Sequence, residues 1–317
     1  MHPAEIKLRL AVLGVPDSVY DHYREPHRHY HTLAHLDDLF KQIKQRGLVG
    51  DDAILLAAVY HDVIYNPQSA TNEEDSAKYF NDTFKGDKAL KKEVIGIILD
   101  TKTHKPATDR SRIFCDMDLD ILRRPLGELI DYEHQIFKEF QFVDYRVYQT
   151  KRMEVLRTLQ EQVDNPHLEA LITYVAKRQP KIGVYPGSFN PFHKGHYNIL
   201  KKAEKVFDKV IIARGVNPSK NAAEYELPAI LKHRQLANYE GLMTDFVKQL
   251  GYPVTVIRGL RNGTDLQAEL NQYRYLQDLS ANDISIISIF CDREFEHISS
   301  TGIRQLAVYG KAGEYLL

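Results

Sequence analysis

The spacing of apolar residues changes once along this chain, at Gln179-Pro180, and that change limits what the chain can fold into. Before it, apolar residues recur at helical spacing. Asp51–Tyr60 opens with capping acids and runs into an apolar face, and Asn72–Ala77 reads as another helix start. Lys91–Leu99, Arg112–Leu122, Leu126–Phe140 and Tyr145–Gln162 also carry spaced apolar residues, and no segment alternates with a period of two. After Pro180, short apolar runs at Lys181–Tyr185, Lys209–Arg214, Val254–Arg258 and Ile284–Phe290 alternate with helical stretches such as Thr264–Leu279. Strand–helix alternation predicts a parallel sheet with crossover helices. The chain therefore reads as two domains: an all-α domain over 1–178 and an α/β domain over 180–317. The junction lacks the Gly/Ser run of a flexible linker.

With 43% apolar residues among 317, two cores can be filled. A net charge of −1 argues against a non-specific nucleic-acid binder. No apolar run approaches the ~20 residues that span a bilayer. Met1–Glu5 lacks the charged and apolar regions of a signal peptide. Cys115 and Cys291, far apart and in apolar surroundings, read as buried free thiols of a reducing compartment. The expectation is a cytoplasmic protein with no membrane or nucleic-acid partner; a homo-oligomer is compatible.

Gly187–His196, Gly-Ser-Phe-Asn-Pro-Phe-His-Lys-Gly-His, follows the first strand and leads into a helical segment ending near Val206. A strand, a tight turn and a helix start form a phosphate site in outline, because helix-start N–H groups attract anions. Gly187 and Gly195 would let backbone approach a ligand, and His196 would add a positive donor in the first turn. Four further elements fall at the carboxyl ends of later strands: Asn217–Lys220, Arg258–Arg261, the pair Asp265 and Glu269, and Ile298–Arg304. Ligands of open parallel sheets bind there. Ser299, Ser300 and Thr301 are N-cap residues for a helix that Ile303 and Arg304 open.

The first half carries its own constellation. Arg28-x-x-His31-Thr32-x-x-His35 comes first, His61-Asp62 closes an apolar helix, and Cys115–Leu119 lies in a third helix. His31 and His35, four apart, would share one helix face. Imidazoles with carboxylates form a mixed N/O set that suits Mn, Fe, Co, Ni, Zn or Mg. Glu73 and Glu74 read as helix-start acids and Asp120 as solvent-facing.

The pattern His…His-Asp…Asp resembles the HD phosphohydrolase superfamily over most of residues 20–160, with Tyr30–His35, Tyr60–Tyr65, Asn72–Glu74 and Asp116–Leu119 as its elements. The resemblance implies metal ligands at His31, His61, Asp62 and Asp118. It places His35 and Asp116 near a second metal or the substrate, Arg28 on a phosphate and His104 at the pocket rim. The second half resembles His-x-Gly-His nucleotidyltransferases with a Rossmann-like sheet, and within them phosphopantetheine adenylyltransferase, through Tyr185–Pro191, Asn217–Lys220, Arg258–Arg261 and Glu269. That resemblance implies transfer of AMP from ATP, with Mg²⁺, to a phosphorylated acceptor, 4′-phosphopantetheine in preference. Catalytic roles fall on His196, Lys220 and Arg261. Contacts to ATP or phosphate fall on Gly187, Ser188, Phe189, His193, Arg258, Gly259, Glu269, Ser299, Ser300, Thr301 and Arg304.

Two departures bear on the acceptor. The segment after Lys220 reads as shorter than the family's helix and strand, and Gln272–Leu276 replaces residues that contact the pantetheine arm. The run Ile298–Arg304 is equally typical of nicotinate- or nicotinamide-mononucleotide adenylyltransferases. A bifunctional enzyme is the resulting expectation; the alternative is that one half is a regulatory module without turnover.

Overall fold

A computed structural model describes residues 4–216, 225–279 and 284–317. The chain divides into two compact units: residues up to Phe140 with Gln149–Lys177, and Gln141–Tyr148 with Arg178–Leu317.

The first unit is helical. Its elements are α1 (Ala4–Val12), α2 (Val19–His22), α3 (Leu33–Gln45), α4 (Asp52–Tyr60), α5 (Asn72–Thr83), α6 (Lys88–Thr101), α7 (Asp109–Asp118), α8 (Leu126–Glu139), α9 (Tyr145–Gln160), whose first turn falls in the second unit, and α10 (His167–Lys177). Asp51 caps α4 by accepting the Ala53 and Ile54 N–H groups at 3.1 and 3.2 Å. Residues Ala53 to Tyr60 are all buried, so α4 is apolar on every side and runs through the core. Leu36, Phe40, Phe80, Ile98 and Phe114 pack in the same cluster. Its C-terminal end delivers His61 and Asp62 to one place.

Three sequence expectations change. Thr32 caps α3, so the helix begins at Leu33; His35 lies in its first turn and His31 precedes it. The third helix stops at Asp118, and a tighter 3₁₀ turn carries Leu119–Arg123. Asp120 lies on that turn, half-buried and paired with Arg124 at 2.6 Å rather than facing solvent freely.

The second unit holds a five-stranded parallel sheet in the order β3-β2-β1-β4-β5. The strands are β1 (Ile182–Gly187), β2 (Lys209–Val216), β3 (Gln235–Glu240), β4 (Thr255–Leu260) and β5 (Ser285–Phe290). Between and after them run α11 (Lys194–Ala203), α12 (Met243–Leu250), α13 (Gly263–Leu279) and α14 (Ser300–Ala307). β1 is central, and Ile182 to Pro186 are buried as a strand covered on both faces requires. Sequence reasoning passed over β3 and α12, so the stretch before β4 holds a strand and a helix after all.

Gln141–Tyr148 belongs with this sheet for visible reasons. Lys209 Nζ donates to the Gln141 carbonyl, the Tyr252 hydroxyl donates to Asp144 Oδ2 at 2.7 Å, and the Tyr145 hydroxyl donates to the Arg178 carbonyl at 2.6 Å. No helix among the described residues is long and apolar enough to cross a membrane.

Candidate functional site

In the helical unit, one ligand atom each from His35, His61 and Asp118 lies within 4.8 Å of the others. His61 Nε2 stands 3.2 Å from His35 Nε2 and 3.0 Å from Asp62 Oδ2. His35 Nε2 is 3.3 Å from Asp118 Oδ1 and 3.9 Å from Asp62 Oδ2. His61 Nδ1 lies 3.1 Å from the Ala58 carbonyl. A carbonyl only accepts, so the proton of a neutral His61 is on Nδ1 and its Nε2 lone pair faces His35. Two such nitrogens at 3.2 Å, flanked by two carboxylates, need a proton or a cation between them. The charges respond accordingly. Burial opposes protonation of His61, yet Asp62 and Asp118 hold its imidazole well above its ordinary value. Burial opposes ionisation of Asp118, yet His104, His35 and His61 hold its carboxyl well below the usual range.

Other residues expected here are placed differently. His31 is not in the three-atom cluster: its Nδ1 meets Glu139 Oε2 at 2.7 Å, and its ring centroid lies 6.2 Å from that of His35. His104 does reach the cluster, with Nε2 3.0 Å from Asp118 Oδ2, and it adopts the left-handed backbone conformation at φ 51°. For a residue with a Cβ this conformation is strained. Asp116 points away and pairs with Arg46 at 2.8 Å and Arg123 at 2.7 Å. Arg28 holds backbone in this structure. Its guanidinium is buried and donates to the carbonyls of Asp62 at 2.7 Å, Val63 at 3.0 Å and His31 at 3.3 Å, and to Glu25 at 2.9 Å. It thereby fixes the turn that presents Asp62. Glu139 escaped sequence reasoning altogether, although it bonds the backbone of His29, Tyr30 and His31.

In the α/β unit, the strand order places the switch of direction between β1 and β4. Loops leaving their carboxyl ends diverge there and open a crevice. A cavity of about 320 Å³ occupies it, lined among others by His193, His196, Gly259, Arg261, Ser299 and Ser300. Asp265, Glu269 and Cys291 also line it. Cys291 directly follows β5, which is the signal that could have placed it.

His193 caps α11. Its Nδ1 accepts the His196 N–H at 3.3 Å, and His196 Nδ1 accepts the His193 N–H at 3.3 Å. The rings stack with centroids 3.6 Å apart. Because both Nδ1 atoms accept, neutral rings carry their protons on Nε2 and offer donors there. Burial, reinforced by Arg261, pushes the His193 imidazole down to about 4. Burial, His193 and Arg261 hold His196 well below its ordinary value. His196 is thus a neutral donor in this fold, not the positive one expected from sequence.

Phe189 is 1% exposed and faces the core, packing on Tyr185, Phe192 and His196 at centroid distances of 5.2, 5.2 and 5.1 Å. A Cβ at Gly187 would meet that ring at 2.7 Å. Gly187 is therefore required by the loop's own packing, and the buried Phe189 ring buttresses His196.

Both strand-end arginines are paired. Arg261 grips Asp265 with two bonds of 2.8 Å, and Arg258 grips Glu269 at 2.6 and 2.7 Å. Ser299 Oγ accepts the Gly302 N–H at 3.1 Å and caps α14. Ser300 Oγ donates to the Pro191 carbonyl at 3.0 Å, and Arg304 donates to the Asn190 carbonyl and to Thr301 Oγ1. Ser300 and Arg304 thus brace the Gly187–His196 loop. Ser188 is exposed at the end of β1. The element Asn217–Lys220, with Lys220, lies outside the described residues.

A parallel sheet of this order, with a His-x-Gly-His helix start beside its switch point, defines a cytidylyltransferase-like domain, and that family's model matches residues 184–306. More narrowly, through its α/β part the chain belongs to the phosphopantetheine adenylyltransferase family. It is 34% identical over 140 residues to the phosphopantetheine adenylyltransferase of Chloroflexus aurantiacus, a match covering 41% of this chain and 86% of that one. It is 36% identical over 141 residues to that of Mycoplasma capricolum, covering 41% of this chain and 99% of the relative. For Clostridium novyi the identity is 32% over 146 residues, covering 43% and 89%.

Proposed function

We propose that the α/β unit transfers the adenylyl group of ATP to the phosphate of 4′-phosphopantetheine. An acceptor phosphate oxygen bonds to the α-phosphorus, the bond from that phosphorus to the bridging oxygen breaks, and pyrophosphate leaves with dephospho-coenzyme A. The observation that carries this reading is the crevice that His193, His196, Arg261 and Ser299 line together, with both imidazole Nδ1 atoms committed to the backbone of the helix start and Nε2 left as the donor of each neutral ring. Neutral N–H donors held in place stabilise charge gathering on the transferred phosphoryl group without reorganising. His196 is the clamp on that group, and Gly259, with no side chain, leaves the floor open. Arg261 and Arg258 exchange their carboxylate partners for phosphates as substrates arrive. Lys220 bridges acceptor and α-phosphate in this reading, on the strength of the sequence motif. Mg²⁺, when it accompanies ATP, would supply charge neutralisation for the pyrophosphate leaving group. Incubation with ATP and 4′-phosphopantetheine should release pyrophosphate; release with nicotinamide mononucleotide alone, or with neither acceptor, would sink the assignment.

For the helical unit the reading is a metal-dependent phosphohydrolase of the HD type, acting on a nucleotide-like phosphate ester. His35, His61, Asp62 and Asp118 would hold a divalent ion, and their mixed nitrogen and oxygen donors at 3.0–3.9 Å spacings suit one. When bound, such an ion acidifies a water and polarises a phosphoryl oxygen. Arg28 orients Asp62 through its carbonyl, and the Ala58 carbonyl fixes the His61 tautomer. Metal analysis of His61→Ala and Asp62→Ala checks this: content equal to the unaltered chain defeats the ligand assignment.

A further inference from the structure

Glu139, the last residue of α8, is 1% exposed and makes five hydrogen bonds. Its Oε1 accepts the N–H groups of His29, Tyr30 and His31 at 2.7, 2.7 and 3.0 Å. Its Oε2 meets His31 Nδ1 at 2.7 Å and accepts the Tyr65 hydroxyl at 2.6 Å. Oε1 alone would secure the loop. The second oxygen fixes a ring.

An ionised carboxylate only accepts, so His31 carries a proton on Nδ1 and has Nε2 as its remaining polar atom. Tyr65 stacks on the imidazole with centroids 4.2 Å apart, which leaves the ring no freedom to flip. Among the described contacts Nε2 has no protein partner, while the side chain keeps 21% of its surface open. The ring is within electrostatic reach of both Asp62 and Asp118. A histidine clamped from behind by a buried acid, its far nitrogen without a protein partner among the described contacts and its ring centroid 6.2 Å from that of His35, is arranged to meet something bound there.

We propose that Glu139 is a positioning residue that presents the Nε2 lone pair of His31, as an acceptor, to a protonated oxygen of the phosphoryl group of a substrate held at the His35–His61–Asp62–Asp118 centre. This rests on the metal-dependent reading of the helical unit. Glu139→Gln is the informative change. It keeps size and an acceptor for the backbone amides, but its amide offers Nδ1 a donor and moves the ring proton to Nε2. His31→Gln tests the ring alone and leaves Glu139 and its backbone bonds intact.

The full chain is loaded with Mn²⁺ and titrated with inorganic phosphate, following Mn²⁺ broadening of the ³¹P resonance. Phosphate bound at the α/β unit is common to all variants and cancels in the comparison. At a pH where phosphate is H₂PO₄⁻, both variants should weaken it about tenfold, because Glu139→Gln sets an N–H against the P–OH that the Nε2 lone pair accepts and His31→Gln removes the ring. The double variant should be no worse than either single one, and Mn²⁺ affinity should stay within about threefold. Long-range ¹H–¹⁵N spectra of the metal-free chain should show His31 protonated on Nδ1, and on Nε2 in Glu139→Gln. Phosphate affinity unchanged in His31→Gln, or a bare Nδ1 in the unaltered chain, overturns the inference alone. No Mn²⁺ uptake by the unaltered chain removes the centre, and the inference with it.

Discussion

Two guanidinium nitrogens of Arg258 meet the two carboxylate oxygens of Glu269, at 2.6 and 2.7 Å. Together with Arg261 and Asp265, this pair ties α13 to the end of β4. No side chain of α13 is buried, so ionic contacts carry an unusual share of its attachment. Half-exposed pairs are worth little each and weaken with salt. Hydrogen exchange of the α13 amides should therefore quicken on raising salt from about 0.05 to 0.5 M, and quicken further in Glu269→Gln. The amides of α11, which buries Ile199, Leu200 and Ala203, should not respond. Equal responses from both helices would refute the ionic account.

The stacked histidines make the α/β unit sensitive to acid. His193 has its folded value pushed down from 6.5 to about 4, so between those pH values the unfolded chain binds the proton and the folded one does not. Stability is complete above pH 6.5 and falls as pH drops through that window; His196 adds to the fall with the same sign. His193→Asn retains an N-cap acceptor and removes one titration. Its urea midpoints between pH 7.5 and 4.5 should decline less steeply than those of the unaltered chain, and parallel curves would contradict this.

Lys209 brings the opposite end of the sheet under pH control. Burial pushes its ammonium down from 10.5 to about 7. Between those values only the unfolded chain binds the proton, so stability rises with pH across the window. Lys209→Met removes the cost of burying a charge but loses the bond to the Gln141 carbonyl. It should raise stability by about 1–3 kcal/mol at pH 6 and lose that advantage towards pH 10. Urea denaturation at both pH values tests this; an advantage that grows with pH would be the wrong sign.

Arg28→Lys separates a backbone clamp from a phosphate binder. A lysine cannot reproduce the fork that serves three carbonyls and Glu25. Thermal unfolding should show the helical unit destabilised by about 2–4 kcal/mol. Retained stability with weakened phosphate binding would return Arg28 to the role its sequence position suggests.

Sequence patterns reached the sheet unevenly. Strands β1, β2, β4 and β5 are short apolar runs, which β1 owes to burial on both faces. β3 is an edge strand that turns Gln235, Ala237 and Tyr239 partly inward and Leu236, Asn238 and Glu240 outward, so its apolar signal runs against its burial. The cluster of imidazoles and carboxylates was legible in residue type, and its placement follows from central α4 ending at His61-Asp62. The choice between His31 and His35 turned on Thr32, whose capping role was available in the sequence and starts the helix too late to include His31. Glu139 left no trace: it reads as a helix-end acid, and its partners lie 74 to 110 positions earlier. Arg258 and Arg261 were recognisable as strand-end cations, but their carboxylate partners on α13 depend on the turn between strand and helix.

Glu139 also has an evolutionary corollary. Three of its five hydrogen bonds end on main-chain amides, which are the same whatever residues occupy those positions. No substitution at His29 or Tyr30 can compensate for its loss, and none there is forced by it. Pairwise co-variation across homologues should therefore register its ties to His31 and Tyr65 at most. Its grip on the loop should be written as intolerance at a single position, silent to any method that looks for coupled change.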